Sequence, residues 1–288
     1  MGKSIDIKTI EYKVAGTAVA GKSHTSNGIP CQDKTALCRS KDSLVISLAD
    51  GAGSCSHSEI GAEISTKVCV DFLSKNFDTL LLMDEKSTAN EINEIIQINL
   101  KKASKEEEVD INELSSTLLF VGVKKDSFIA GHIGDGLIGH LYKSHMDILS
   151  YPENGDFANQ TYFTTNNNVL DHFRIYKGMV ENGDAFILMS DGTCESLFNK
   201  KEKVLSKGTN KLISWLSNES NSESTIVDIL KESMQNLFIN KTSDDCSINM
   251  LSVKIKSEEK IPFWNNAYWV NNWTYQLSNK KADITHQS

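Results

Sequence analysis

The residues of this chain best suited to chemistry are aspartates set beside glycines at the ends of apolar runs. Asp50-Gly51 closes the run LVISLA, Gly134-Asp135-Gly136 closes FIAGHI, and Ser190-Asp191-Gly192 closes AFILM. A carboxylate at a strand end is held by a rigid element yet points out of the core, and the adjacent glycine admits backbone conformations that side chains disfavour. Two more acidic sites flank strand-like runs: Asp244-Asp245 precedes CSINMLSVKI, and Asp33 follows Pro30-Cys31-Gln32. A single Asp-Gly is most simply a turn. Repetition of the device indicates convergence on one place.

Carboxylates gathered in a small space repel and raise each other's pKa unless a cation shares that space. An all-oxygen ligand set selects hard cations, so magnesium or manganese is favoured over zinc. No cysteine or histidine clusters with these aspartates at a zinc spacing. The six cysteines, Cys31, Cys38, Cys55, Cys69, Cys194 and Cys246, are scattered without CxxC pairs and read as reduced thiols.

The elements that must position the carboxylates are legible as hydrophobic patterns. LVISLA (44–49), TLLFVGV (117–123), FIAGHI (128–133) and AFILM (185–189) have the length and composition of buried strands. Between them Ile60, Ile64, Val68 and Phe72 recur at helical spacing, as do Ile92, Ile96, Leu100 and Ala103, and Ile226, Leu230, Met234 and Phe238. These predict amphipathic helices packed on sheets. Helices in separate blocks and strands in hairpin-like runs favour antiparallel sheets with helices outside, an α+β layered class. Residues 151–168, polar and Asn-rich without periodicity, predict a long loop or flap.

At 288 residues with 39% hydrophobic and 24% charged side chains, the chain suits one large globular domain. Residues 1–256 are assigned to it. Residues 257–288 form an extension holding FWNNAYWVNNWTYQ, whose aromatic rings are expected to pack on the domain because free rings in water are a liability. The net charge is −8 and the only arginines are Arg39 and Arg174, so no basic stripe for nucleic acid is present. The start lacks a signal-like apolar run and no stretch reaches membrane-spanning length, which predicts a cytoplasmic protein without a membrane partner.

The ordered set CQD, LADGAG, GHIGDG, MSDGTCE and SDDCSI, together with Ser116-Thr117 opening the middle strand, resembles the signature of metal-dependent, type 2C serine/threonine protein phosphatases, and GKSHTSNGIPCQD most resembles a bacterial branch. The resemblance covers roughly residues 12–255. It implies two stacked antiparallel sheets flanked by helices, a four-layer α/β/β/α sandwich. It further implies hydrolysis of phosphoserine or phosphothreonine on a protein substrate, in opposition to a serine/threonine kinase, with two Mg²⁺ or Mn²⁺ ions and a third held more weakly.

Position by position, the resemblance makes Asp50 a ligand shared by two ions and the Gly51 carbonyl a further ligand, with Asp191 and Asp244 completing the first ion. Asp33 acts through bound waters, and Asp135 shares the third ion with Asp191. Asp50, Asp191 and Asp244 are catalytic in the sense that they hold ions that turn a water into a nucleophilic hydroxide and polarise the phosphoryl oxygens. Three positions depart from the pattern: Gln32 replaces a glutamate, Ala52 a histidine, and Gly28 the arginine that grips phosphate. His24 is the candidate to grip phosphate in its place. His57 is a weaker candidate, and Glu195 either acts on the metal site through water or caps a helix start.

Two other functions compete with protein dephosphorylation. A catalytically silent sensor or scaffold would keep the fold, but retention of Asp50, Asp191 and Asp244 argues against it, since unpaired buried charges are costly. A hydrolase of small phosphoesters would share the carboxylates and differ in the loops.

Overall fold

A strand buried on both faces must lie between two packed layers. The run that ends in Asp50 is such a strand in the computed structural model of the chain, buried at every position of Ser43–Ala49. The structure describes residues 4–5, 8–154, 161–257 and 261–262. In chain order the first elements are β1 (Ser4–Ile5), β2 (Lys8–Val19), α1 (Lys22–Asn27), β3 (Lys34–Arg39), β4 (Ser43–Ala49), α2 (Ser58–Leu82) and α3 (Glu85–Glu106). Then come β5 (Leu118–Lys124), β6 (Ser127–Ile133), β7 (Leu137–Tyr142), β8 (His145–Ser150), α4 (Val169–His172), β9 (Arg174–Met179), β10 (Ala185–Met189) and α5 (Asp191–Leu197). The last are β11 (Phe198–Asn199), β12 (Val204–Leu205), α6 (Lys207–Ser217), α7 (Glu223–Asn236), β13 (Cys246–Ser257) and β14 (Ile261–Pro262).

The backbone groups into two units, one spanning Tyr12–Lys254 and one formed by the chain ends. In the latter, β1 pairs antiparallel with β14, Ser4 opposite Pro262. The expected burial of the aromatic rings beyond residue 262 lies outside the described residues.

The larger unit is α+β, with two antiparallel sheets. One has the order β3-β4-β5-β6-β9 and the other β2-β13-β10-β7-β8. Ser47 lies opposite Phe120 in the first and Phe186 opposite Leu251 in the second. The sheets face each other, and Asn249 of β13 donates from one amide to the carbonyls of Ala36 at 3.1 Å and Ser47 at 3.0 Å. Helices α2 and α3 cover the outer face of the first sheet, where Leu73, Phe77, Ile92 and Ile96 pack on Val45, Phe120 and Ile129. Helices α5, α6 and α7 cover the second with Leu197, Leu212, Leu216, Ile226 and Leu230 on Ile187, Ile248 and Met250. Each fully buried side chain of this kind contributes on the order of 1.5 to 3 kcal/mol by area.

Helix starts follow local chemistry. Asp84, Ser206 and Ser222 each accept a backbone N–H at the first turns of α3, α6 and α7. In α2 the face differs from the expected stripe. Ile60, Ile64, Val68 and Phe72 are only partly buried, and the innermost face is made of small residues, Gly61, Ala62, Ser65 and Cys69, running into Leu73 and Phe77. The helix lies too close to the neighbouring backbone for larger groups: a methyl at Gly61 would overlap the Leu114 carbonyl.

Candidate metal centre

Every aspartate singled out above sits beside the end of a strand, Asp33 and Asp244 ahead of one and Asp50, Asp135 and Asp191 after one. Asp50 follows β4, and the start of the middle strand grips its backbone on both sides. Its N–H donates to Thr117 Oγ1 at 2.9 Å, and its carbonyl accepts the Thr117 N–H at 2.8 Å. Gly51 then bridges to Ser116, and its N–H donates to the Gln32 carbonyl at 3.3 Å, which ties Asp50 to the segment carrying Asp33. Asp135 follows β6 through Gly134, whose φ of 107° is one that a residue with a Cβ rarely adopts. Asp191 opens α5 immediately after β10, and Asp244 stands just ahead of β13.

The electrostatics show that these ends meet. Burial pushes the Asp50 carboxyl well above the usual carboxylate range, and the charges of Asp33, Asp191 and Asp244 add to it. Asp33 is 1% exposed, and burial raises it to about 7, with Asp245 and Asp191 contributing. Burial, then the charge of Asp135, lifts Asp191 to about 6. Asp135 is raised by burial, offset in part by a hydrogen bond from Thr161 Oγ1 at 2.6 Å. The Asp50 and Asp191 carboxyls are close enough to act directly on each other's charge. A cation in this space would relieve the mutual repulsion of the carboxylates.

The donor set fits a hard divalent cation. Gln32 Oε1 is buried without a hydrogen-bond partner, and both carboxylate oxygens of Asp33 are buried with only the Ser190 and Ser247 hydroxyls near enough to ease their charge, a costly arrangement unless something else satisfies them. Among the described residues no three carboxylate, imidazole or thiol groups close tightly enough to enclose an ion by themselves. Magnesium and manganese take oxygen ligands, and backbone carbonyls and water commonly complete the shell beside carboxylates. The six cysteines are free thiols, and burial raises the Cys194 and Cys246 thiols, which keeps them protonated beside the carboxylates.

The adjacent aspartates before β13, read from sequence as one acidic site, divide their work. Asp244 is exposed, whereas Asp245 is 1% exposed and fully engaged. Asp245 Oδ1 accepts the Gly21 N–H at 2.7 Å and faces His24 Nδ1 at 2.8 Å, while Oδ2 accepts the Gln32 N–H at 2.6 Å. The loop reaches Asp245 only because position 21 has no side chain; a Cβ there would lie 2.3 Å from the Asp244 carbonyl oxygen. His24, in α1, therefore has Nδ1 committed to Asp245, and Nε2 is its ring nitrogen left for any ligand. His57 precedes α2 with Nδ1 2.7 Å from Ser56 Oγ. Glu195 lies within α5 rather than at its start and pairs with Lys200 at 2.5 Å.

The expected loop over 151–168 has its described ends fastened beside Asp135. The Glu153 N–H donates to the Gly134 carbonyl at 3.0 Å, Asn154 bridges to Thr161, and Tyr162 stacks on His172 at 3.4 Å. Behind it, Glu153 joins His172 at 2.9 Å and Arg174 at 3.2 Å. A cavity of about 310 Å³ opens here, lined by Asp135, Asn154, Thr161, Asp191, Cys194 and Lys200. Sequence reasoning singled out neither Thr161, Asp245 as an anchor, nor Lys200.

Residues 20–235 match the family model described as Protein phosphatase 2C. Among solved structures, the serine/threonine phosphatase of S. agalactiae shares the fold at a TM-score of 0.56 and 15% identity, covering 84% of this chain and 99% of its own. PppA of Pseudomonas aeruginosa, a regulatory component of the T6SS, does so at 0.56 and 15%, over 87% and 100%. The catalytic domain of the serine/threonine phosphatase PstP, solved with 2 manganese ions, does so at 0.54 and 13%, over 85% and 100%. At these identities the likeness is one of fold. No protein of curated function matches the chain by sequence.

Proposed function

Because the chain belongs to the protein phosphatase 2C family, we propose that it is a metal-dependent phosphatase that hydrolyses phosphoserine or phosphothreonine on proteins, opposing a serine/threonine kinase. The observation that carries this reading is the meeting of Asp33, Asp50, Asp135, Asp191 and Asp244 in one ring of mutually repelling carboxylates. The manganese ions of PstP support the same choice of metal.

Asp50, the Gly51 carbonyl, Asp191 and Asp244 would hold Mg²⁺ or Mn²⁺, with Asp33 acting through water and Asp135 helping to hold a further ion. Bound there, such ions supply Lewis acidity, making water nucleophilic near neutral pH and drawing charge from the phosphoryl oxygens. The chain's part is orientation. Thr117 fixes Asp50 on both sides of its peptide, and Thr161 fixes Asp135. His24, steadied through Nδ1 by Asp245, presents Nε2 as the group to meet substrate phosphate. With Ala52 in place of a histidine, the serine or threonine leaving oxygen takes its proton from water.

Among the described residues no helix is long and apolar enough to cross a membrane. The test is phosphate release from a phosphoserine peptide and from a small aryl phosphate, each with Mn²⁺ and with chelator. The proposal expects peptide turnover that chelation abolishes. Turnover of the aryl phosphate alone would favour a small-phosphoester hydrolase, and no turnover of either would favour a silent scaffold.

A further inference from the structure

Helix α5, which begins with Asp191, runs directly into the β11–β12 hairpin, where Phe198 lies opposite Leu205 and Asn199 opposite Val204. The turn between the strands carries Lys200, Lys201 and Lys203, with Glu202 between, in a chain of net charge −8. That turn is built to a fixed shape. Asn199 Oδ1 accepts the amides of Lys201 and Glu202, both at 3.1 Å, and Lys203 holds a φ of 54°. At the base, the Ser206 N–H donates to the Leu197 carbonyl at 2.8 Å. A preorganised turn loses little conformational freedom when it meets a partner.

Lys200 reaches from this turn to the wall of the carboxylate cavity, where it is the only cationic side chain among the described residues of the lining. Its present partner is Glu195, and with the two side chains 62% and 44% exposed the pair is solvated and readily exchanged. Neither arginine lines the cavity, and Arg174 is engaged behind it with Glu153 and the Tyr151 carbonyl. With divalent ions on the carboxylates the phosphate itself would be attracted to the ions, and charge on the rim would act on the residues that flank the phosphorylated one.

We propose that the β11–β12 hairpin is the substrate-facing element of the site and selects phosphorylated segments flanked by acidic residues. Lys200 exchanges Glu195 for an acidic side chain next to the phosphorylated residue, and Lys201 and Lys203 extend the preference outward. This inference rests on the phosphatase reading and names the substrate class for it.

The test uses three phosphoserine peptides of equal length with acidic, neutral or basic flanks. Their binding is measured by fluorescence anisotropy in the presence of Mn²⁺, and their hydrolysis as separate kcat and KM values. Wild type should bind the acidic peptide about five- to tenfold more tightly than the basic one, with the difference in hydrolysis residing in KM and shrinking as salt rises. Lys200→Gln should lose about threefold of that preference, and Lys201→Glu combined with Lys203→Glu a similar part, since a solvated ion pair is worth only a small factor. Equal binding of all three peptides by wild type, or a preference that survives both variants, would overturn the proposal. Chelator-sensitive turnover of the neutral phosphoserine peptide by wild type reports separately on the phosphatase reading, and the anisotropy data decide the role of the hairpin even if that turnover is absent.

Discussion

His24 Nδ1 stands 2.8 Å from Asp245 Oδ1, and the same carboxylate takes the amide protons of Gly21 and Gln32. One buried side chain therefore pins both ends of the segment that leads into Asp33, and it couples that segment to the exposed Asp244 next to it.

The adjacent aspartates should respond in opposite ways to truncation. Asp245→Ala leaves buried donors without an acceptor and should lower unfolding stability by about 2 to 4 kcal/mol. Asp244→Ala, at an exposed position, should leave stability of the chelated protein nearly unchanged and weaken Mn²⁺ binding. Urea unfolding with chelator, beside a calorimetric Mn²⁺ titration, separates the two. Equal losses of stability would show that the burial difference is not expressed in solution.

Asp33 should trade stability for metal. Its carboxyl is buried, eased only by the Ser190 and Ser247 hydroxyls, and raised to about 7, so at pH 8 the metal-free protein carries a strained charge costing on the order of a few kcal/mol. Asp33→Asn should raise the Tm of the chelated protein at that pH and reduce the further rise on adding Mn²⁺. A lower Tm in chelator would mean that the carboxylate is satisfied as it stands.

His132 provides a pH-dependent stability term away from the carboxylate ring. Its ring is fully buried with Nδ1 2.8 Å from Ser150 Oγ, and burial, with the Arg174 charge, holds its pKa well below 6.5. Because the folded-state pKa is depressed, the stabilising contribution is complete above about pH 6.5, where the unfolded histidine is neutral, and is lost as the pH falls. Between pH 6.5 and 5 the wild type should lose up to about 1.4 kcal/mol per pH unit through this group. His132→Asn should be less stable at pH 8 and show a shallower acid slope. Parallel pH profiles for the two proteins would assign the acid loss to other groups.

The strands that position the site were legible because their apolar runs are continuous: AFILM is β10 to the residue, and LVISLA differs from β4 only by Ser43. The aspartates at their ends were legible for the same reason, since a carboxylate breaking an apolar run is conspicuous. The inner face of α2 was not, because a close helix–sheet approach selects Gly61, Ala62 and Ser65, which carry no hydrophobic signal, and displaces the larger Ile60 and Ile64 to the flank. Asp245 was hidden by its neighbour, as two identical residues in succession give no clue to which one turns inward. Lys200 sits in a polar run that reads as an ordinary turn; its meaning comes only from the α5 geometry that brings it beside Asp135 and Asp191.

The central claim is that Asp50 organises a divalent metal site that hydrolyses phosphoprotein. Asp50→Asn keeps side-chain size and removes the charge, so the direct measurement is a calorimetric Mn²⁺ titration of wild type and Asp50→Asn, paired with phosphate release from a phosphoserine peptide by the same samples. The account predicts Mn²⁺ binding and chelator-sensitive turnover in wild type. In Asp50→Asn it predicts binding weakened at least tenfold and turnover lowered at least a hundredfold, about 1.4 and 2.7 kcal/mol respectively. Wild-type affinity and turnover in the variant would contradict it.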